Sequence, residues 1–181
     1  MDRELVERAM HGDEAAFDAL VGRIGDSMHS VARRILRDTT LAQDATQQAL
    51  LDAWRYLPGL RDPDRFEAWT HRLLVRACYA ESRRERRQQG NLRLLTRTDF
   101  EPDSASRVAT TEQLDRGFRR LSVEHRTVVV LVHYLGLTPT EAAERMGTPA
   151  GTARSRLHYA LQQLRSALEA DARPVLARGT A

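Results

Sequence analysis

The stretch at residues 138–165, TPTEAAERMGTPAGTARSRLHYALQQLR, contains two helix starts with a glycine between them. Each start is a threonine followed by a proline, and Glu141 completes the pattern of a capping box at the first one. Gly147 stands where the first helix should end, a position at which glycine adopts the left-handed conformation without strain. Two helices joined by a tight glycine turn form a helix-turn-helix.

The second helix of this motif is predicted to have two different faces. Because each residue turns the helix by about 100°, one side of it is apolar. This side carries Ala153, Leu157, Ala160, Leu161 and Leu164. The other side begins with small residues and arginines, and the stretch from 148 to 165 contains no acid. Since the N-terminal residues of such a helix meet base edges and phosphates, DNA binding is the favoured interpretation. A helical hairpin with a solvated arginine face remains the alternative from this motif alone.

Composition limits the classes of protein to consider. The 28 basic residues are all arginine, the net charge is +3, and residues 112–181 hold 10 arginines against 7 acids. This charge is too small to indicate nucleic-acid binding without the motif. A single cysteine, Cys78, rules out an intramolecular disulfide framework. No window resembles a secretory core or a membrane span, so we expect a cytoplasmic protein without membrane insertion.

Helical periodicity covers nearly the whole chain and predicts an all-α fold of two small helical domains joined by a flexible linker. The linker prediction rests on a polar stretch that includes a glycine, a proline and three acids. The expected divisions are a first domain at 1–87, an acidic flexible linker at 88–111, a second domain at 112–170 and a tail at 171–181.

Two local predictions depend on finer signals. In the first domain, Thr39 or Thr40 can cap a helix on which Trp54 is expected to be a core anchor. In the second domain, RTVVVLVHYLGL (residues 126–137) has the propensity of a strand. The cap candidate Ser122 and a glycine at the far end favour a buried helix instead.

Residues 121–165, LSVEHRTVVVLVHYLGLTPTEAAERMGTPAGTARSRLHYALQQLR, resemble region four of the extracytoplasmic-function (ECF) group of bacterial sigma factors. The segment GTARSRLHYALQQLR matches the group's pattern G-T-(V/A)-(K/R)-S-R-L-x-x-A-L-x-x-L-R almost position for position. The resemblance implies that this half reads the minus-thirty-five promoter element as duplex DNA. The residues that would do so are Thr138, Pro149, Gly151, Thr152, Arg154, Ser155, Arg156 and Tyr159.

The first half resembles region two of the same group, through DTTLAQDATQQALLDAWRYL (residues 38–57) and FEAWTHRLLVRACYAESRR (residues 66–84). The first segment implies docking on core RNA polymerase through Asp44, Gln47 and Gln48. The second segment, with the loop at residues 58–66, implies recognition and melting of the minus-ten element. The residues carried over for that role are Arg72, Arg76, Tyr79, Arg83 and Arg84.

The second segment departs from the family pattern at three positions. Ala77 stands where the family often has asparagine, Glu81 where it has aspartate, and Thr70 where it has leucine. The change to alanine removes an amide that could hydrogen-bond a base, so the identity of the minus-ten motif stays open.

The resemblance implies a promoter-specificity (sigma) subunit with no enzymatic activity and no cofactor. Its partners would be core RNA polymerase, promoter DNA and an anti-sigma factor. A stand-alone helix-turn-helix regulator is the alternative, but it leaves the docking helix and the acidic linker without a role. An enzyme is disfavoured because the six histidines are scattered and no metal-ligand spacing, glycine-rich phosphate loop or nucleophile elbow occurs.

Overall fold

The computed structural model describes residues 2–95 and 116–172, without the side chains of 90–95 and 170–172, and every regular element in these ranges is helical. The helices are α1 Arg3–Met10, α2 Glu14–Leu36, α3 Thr39–Tyr56, α4 Phe66–Leu95, α5 with its described part at 116–120, α6 Val123–Val129, α7 Pro139–Met146 and α8 Ala150–Ala172. Two short 3₁₀ turns, Leu57–Gly59 and Pro63–Arg65, precede α4, and a π-helical turn, Val130–Tyr134, follows α6. The predicted all-α fold is confirmed. Within the described ranges, each helix is too short or too polar to span a lipid bilayer.

Aspartates cap the first three helices. The side chain of Asp13 accepts a hydrogen bond from the backbone N–H of Ala16 at 3.0 Å, and that of Asp38 from Leu41 at 2.8 Å. The cap of α3 is therefore Asp38, whereas Thr39 and Thr40 lie inside the helix. A carboxylate at this position satisfies a free N–H and also faces the positive end of the helix dipole, which favours it over the neighbouring threonines.

Helices α1–α4 pack around one hydrophobic core. Its largest fully buried side chains are Leu20, Met28, Ile35, Leu57, Phe66 and Leu74. The inward face of α3 is a stripe of completely buried alanines at positions 42, 45, 49 and 53. Because these side chains are small, α2 and α4 can pack closely against α3, and the larger residues Leu51, Trp54 and Tyr56 of α3 are exposed.

The valine-rich stretch of the second half is helical, as predicted. The hydroxyl of Ser122 caps α6 by accepting a hydrogen bond from the N–H of His125 at 3.2 Å. The helix then widens into the π-helical turn, in which the N–H of Leu135 donates to the carbonyl of Val130 at 3.1 Å. Val128 and Leu131 are completely buried, so tertiary burial overrides the strand propensity of the valines.

Helix α4 extends into the expected linker. It continues to Leu95, whereas the first domain was expected to end at residue 87. In the added part, the side chain of Gln89 donates to Glu85 one turn earlier at 2.7 Å, a pairing that stabilises helices. Residues 96–111 of the expected linker and 173–181 of the tail lie outside the described residues.

The two halves of the chain pack against each other along a surface that we call the seam. Helices α2 and α4 of the first half contact α6, α7 and the π-helical turn of the second. Val123 and Val130 belong to the core of the first half, and Val75 of α4 belongs to the core of the second. The sequence did not predict this packing.

Two polar contacts also cross the seam. The guanidinium carbon of Arg34 on α2 lies 3.7 Å from the ring centroid of Tyr134 in the π-helical turn. Farther along, Nη2 of Arg65 lies 3.0 Å from Oε2 of Glu144 on α7. The seam therefore combines a few buried valines with contacts at its solvent-exposed edges.

Candidate nucleic-acid interface

The turn between α7 and α8 has the geometry of a capped helix-turn-helix. The backbone N–H of Thr138 donates to Oε2 of Glu141 at 2.8 Å, and the N–H of Glu141 donates to the Thr138 hydroxyl at 3.3 Å, so the predicted capping box is present. The pKa of Glu141 lies below its ordinary value because its carboxylate accepts hydrogen bonds from the Thr138 hydroxyl and from the Thr138 N–H. Gly147 ends α7 with φ of 63°, in the left-handed region. The cap also occupies the Thr138 hydroxyl, which donates to Glu141 at 2.7 Å.

The first turns of α8 present most of the predicted DNA-contacting residues to solvent. Pro149, Gly151, Arg154, Ser155 and Tyr159 are exposed, and Thr152 and Arg156 are half-buried. The first turn contains no acidic residue. Free N–H groups, the positive helix end and small side chains together suit the close approach of a phosphate backbone.

The opposite face of α8 packs into the second core. Ala153 and Ala160 are completely buried and Leu164 is 7% exposed, as the periodicity predicted. Leu161 is 39% exposed, so its predicted burial is wrong. It lies about 80° around the helix from Ala153, at the edge of the apolar stripe, where the neighbouring helices no longer cover it.

The predicted minus-ten residues of α4 divide into two groups. Arg76, Arg83 and Arg84 are exposed, and Arg84 lies 3.8 Å from Glu81. Arg72 is also exposed, but its Nη2 is 3.8 Å from the position that a Cβ on Gly147 would take. This arginine therefore points at the turn of the helix-turn-helix.

Tyr79 is the fifth residue of that set, and it is half-buried in the seam. Burial raises the pKa of its phenol, and the neighbouring Thr127 of α6 and the charge of Arg156 oppose this shift. The side chain packs against both cores. In this arrangement, Tyr79 lies between the two halves of the chain.

The three departures from the family pattern are all buried or half-buried on α4. Ala77 is 6% exposed and belongs to the first core, so a polar amide there would be buried. Thr70 is 1% exposed, and its hydroxyl donates to the carbonyl of Glu67 at 3.0 Å. Glu81 is half-buried beside Arg84.

The predicted docking residues lie together on the outward face of α3. Asp44, Gln47 and Gln48 are all exposed, and Gln48 donates to Asp52 at 2.9 Å. Trp54, which the sequence suggested as a core anchor, is 39% exposed. Its ring packs on Phe17 of α2 with 4.8 Å between centroids.

A groove between α2 and α3 was missed by the sequence analysis. It has a volume of about 830 Å³, and its lining includes Glu14, Phe17, Asp18, Gln43, Gln47, Leu50, Leu51 and Trp54. Leu51 is 52% exposed at its edge. The available signal was the stripe of alanines on α3. If these small residues face the core, Leu51 and Trp54 on the other side of the helix must face outward. We call this site the α2–α3 groove.

Among residues 2–95 and 116–172, no group of three or more His, Cys, Asp or Glu side chains is arranged to hold a metal ion. Cys78 is completely buried, and burial raises the pKa of its thiol to about 12. A thiol in this state is protonated at neutral pH and is a weak nucleophile.

Comparisons with known proteins agree with both halves of the resemblance. Residues 20–88 match the family model described as Sigma-70 region 2, and residues 117–166 match that described as Sigma-70, region 4. The chain is 33% identical over 165 residues to the ECF RNA polymerase sigma factor SigM of Mycobacterium tuberculosis (strain ATCC 25618 / H37Rv). This alignment covers 90% of this chain and 82% of SigM.

Solved structures with a similar fold include CnrH in complex with the cytosolic domain of CnrY. The match to CnrH has a TM-score of 0.67 and 28% sequence identity, and it covers 94% of this chain and 98% of CnrH. The sigma factor RpoE in complex with the anti-sigma factor NepR from Bartonella quintana also has a TM-score of 0.67, at 20% identity, with 86% and 98% covered. The second likeness concerns the fold alone.

Proposed function

Since this chain belongs to the ECF sigma factors of bacterial RNA polymerase, we propose that three of its surfaces have separate roles in transcription initiation. As a sigma subunit, the chain directs the polymerase to specific promoters. In the proposal, α3 docks on the core enzyme, α4 recognises and opens the minus-ten element, and α8 reads the minus-thirty-five element. We assign the first two roles to residues 1–87 and the third to residues 112–170.

The exposed, acid-free start of α8 on a capped helix-turn-helix is the observation that carries the proposal. Arg154 is exposed and Arg156 half-buried at the flanks of this surface. A guanidinium group can make two hydrogen bonds to O6 and N7 of guanine or bridge phosphate oxygens. Gly151 and Ser155 between them leave room for the groove floor. These features fit the insertion of the N-terminal half of α8 into a major groove.

Helix α4 suits contact with separated strands. Its exposed arginines, Arg76, Arg83 and Arg84, follow one another along the helix and provide charge for a phosphate backbone. Tyr79 lies among them and offers an aromatic surface on which an unstacked base could rest. Because Ala77 is buried, the bases of the minus-ten element would be read by other side chains of this helix or by the loop before it.

The docking surface combines the polar face of α3 with the α2–α3 groove. Gln47 belongs to both, since it is exposed on α3 and also lines the groove. Leu51 and Trp54 provide apolar surface, while Glu14 and Asp18 provide negative charge at the rim. A helical segment of the polymerase with apolar residues and a basic edge would fit this combination.

The wider role follows from the same proposal. The chain would work in the cytoplasm, where the polymerase works, and would have no catalytic activity of its own. RpoE of Bartonella quintana is seen with an anti-sigma factor, NepR. We propose an anti-sigma factor as a partner of this chain as well.

Transcription with purified components tests the proposal. Core polymerase is incubated with the chain and a library of genomic fragments from the source organism, and the 5′ ends of the transcripts are mapped. We expect discrete start sites that require both proteins. Sequence-specific duplex binding by the chain alone, with no effect on the core enzyme, would instead support the stand-alone regulator.

A further inference from the structure

We propose that a cavity between α4 and α6 is a binding site for a phosphate group, with Arg126 and Arg86 as its charged ligands. The cavity has a volume of about 260 Å³, and its polar lining consists of Ser82, Glu85, Arg86, Ser122 and Arg126. We call it the arginine cavity. None of these residues belongs to the sets assigned above to DNA or to the polymerase, so the inference does not depend on the proposed function.

The guanidinium of Arg126 has hydrogen-bonding capacity that the chain does not use. Arg126 is half-buried on α6, and its Nε is inaccessible to solvent. Within residues 2–95 and 116–172, no acceptor pairs with this nitrogen. Buried donors are nearly always hydrogen-bonded, because an unpaired one costs free energy. Since Arg126 also lines the cavity, an oxyanion bound there would supply acceptors to this guanidinium.

Positive charge from three helices converges on this cavity. Burial lowers the pKa of Arg126, and the charges of Arg37 at the end of α2 and Arg86 on α4 lower it further. Glu124 opposes the shift. Because like charges repel more strongly where water is excluded, the protein alone holds this guanidinium in an unfavourable field. An anion bound beside it would turn that field into a favourable one.

The neighbouring acids do not neutralise the cavity. Glu85 lines it, but its Oε1 already accepts a hydrogen bond from the side chain of Gln89 at 2.7 Å. Glu124 is half-buried, and it shares its charge between Arg86 and Arg156. Arginines therefore outnumber carboxylates around the cavity, and the excess charge favours an anionic ligand.

The donors suit a phosphate group better than a carboxylate. Nη2 of Arg86 lies 3.1 Å from the hydroxyl oxygen of Ser82, so a guanidinium and a hydroxyl group stand together on the α4 side. Arg126 faces them from α6. Donors from two helices match the several oxygens of a tetrahedral phosphate, whereas a carboxylate offers two oxygens in one plane.

The size of the arginine cavity limits what the phosphate group can belong to. Its volume of about 260 Å³ is below the ~300–1,000 Å³ of pockets that enclose a whole drug-sized ligand. The occupant is therefore inorganic phosphate or the terminal phosphate of a larger molecule whose remainder lies outside. Both sources present the same chemistry to the arginines.

Three arginine-to-methionine substitutions separate binding from folding. Arg126→Met keeps a long apolar side chain and removes a repelled charge, so in chloride buffer the variant should be at least as stable as the wild type. Arg86→Met removes the second ligand at an exposed position, where it should not disturb the fold. Arg87→Met makes the same change at the next residue, which is exposed and outside the cavity, and is the matched control.

Isothermal titration calorimetry of the full-length chain gives the direct readout. Inorganic phosphate, adenosine monophosphate and acetate are titrated separately at pH 7.5 and constant ionic strength, because salt screens exposed charges. We expect saturable binding of inorganic phosphate to one site. Its affinity should fall roughly tenfold in Arg126→Met and in Arg86→Met, and should stay within about twofold in Arg87→Met. Tighter binding of the nucleotide than of inorganic phosphate would identify a terminal phosphate as the source, and the reverse would identify the free ion.

Thermal unfolding provides a second readout. A ligand that binds only the folded chain raises its Tm, so phosphate should raise that of the wild type and of Arg87→Met more than that of Arg126→Met. Equal increases in all three would show a general salt effect and overturn the inference. The absence of saturable phosphate binding would also overturn it, as would acetate binding of equal affinity or equal losses in the three variants.

Discussion

Arg65 and Glu144 lie 79 positions apart in the chain, and their side chains meet with 3.0 Å between Nη2 and Oε2. The contact joins the turn before α4 to α7, so it links the two halves to which we assign different promoter elements. Because the two side chains are 63% and 52% exposed, an ion pair of this kind contributes about 0.2–1 kcal/mol. A pair of this strength is too weak to hold the two halves together without the buried valines.

Substitution of the two early arginines of α8 should weaken promoter recognition. For Arg154→Ala and Arg156→Ala, we expect a loss of about 1–3 kcal/mol each in binding to a minus-thirty-five duplex, because each removes a base or phosphate contact. The measurement is fluorescence anisotropy at fixed salt. Arg165→Ala, exposed on the same helix but beyond the proposed contact surface, is the matched control. Equal losses in affinity for core polymerase would indicate a folding defect instead.

The polar face of α3 should matter for the polymerase and not for DNA. We expect the double substitution Asp44→Ala with Gln47→Ala to weaken binding to core enzyme by roughly tenfold, or about 1.4 kcal/mol. Competition against a labelled wild-type chain measures it. Arg55→Ala, exposed on the same helix, should compete like the wild type. An unchanged affinity of the double variant would remove the docking assignment.

The α2–α3 groove gives a separate prediction for docking. Leu51 is 52% exposed, so Leu51→Asp should leave the free energy of unfolding within about 0.5 kcal/mol of the wild type. In the bound complex, the same carboxylate would be placed against an apolar partner surface and should reduce core affinity by more than tenfold. Tyr56→Asp, at 55% exposure on α3 outside the groove, is the control. Similar affinities of the two variants would exclude the groove from the docking surface.

His71 should make the fold less stable in mild acid. It is 7% exposed, and burial holds its pKa below the ordinary 6.5, with Glu67 opposing the shift and Arg145 adding to it. As the pH falls through 6.5, the unfolded chain takes up a proton that the folded chain does not, so the free energy of unfolding decreases. Urea titrations between pH 7.5 and 5.5 measure this slope.

The comparison of His71→Gln with an exposed histidine tests the assignment of that slope. His71→Gln should flatten the dependence of unfolding free energy on pH, because the buried titrating group is gone. His158→Gln, exposed on α8, should leave it as in the wild type. If both variants keep the full slope, another group is responsible.

Local rules predicted the helix-turn-helix half of the molecule well. The capping box at Thr138 and Glu141 and the glycine turn at 147 need only nearby residues, so their sequence pattern determines their structure. The helical state of the valine-rich stretch was also predictable, because its cap at Ser122 is local. The capping box and the glycine turn have their cause within one or two turns of chain, whereas the valine-rich stretch also depends on the burial of Val128 and Leu131.

The seam and the α2–α3 groove depend on contacts that no local pattern encodes. Arg34 and Tyr134 are both exposed polar or aromatic residues in their own helices, and only the packing of two distant helices brings them together. Trp54 was expected to be a core anchor of α3, but it is 39% exposed and its ring packs on Phe17 at the α2–α3 groove instead. Leu161 was misjudged because periodicity cannot show where the covering helices end.

Permanganate footprinting tests the central claim most directly, namely that this chain reads two promoter elements on behalf of the polymerase. On a promoter mapped by the transcription assay, core enzyme with the chain should make thymines at the minus-ten element reactive and protect the minus-thirty-five element. Each protein alone should leave the DNA unreactive, and Arg154→Ala with Arg156→Ala should lose the upstream protection. Opening of the same thymines by core enzyme without the chain, or none with both proteins present, would contradict the account.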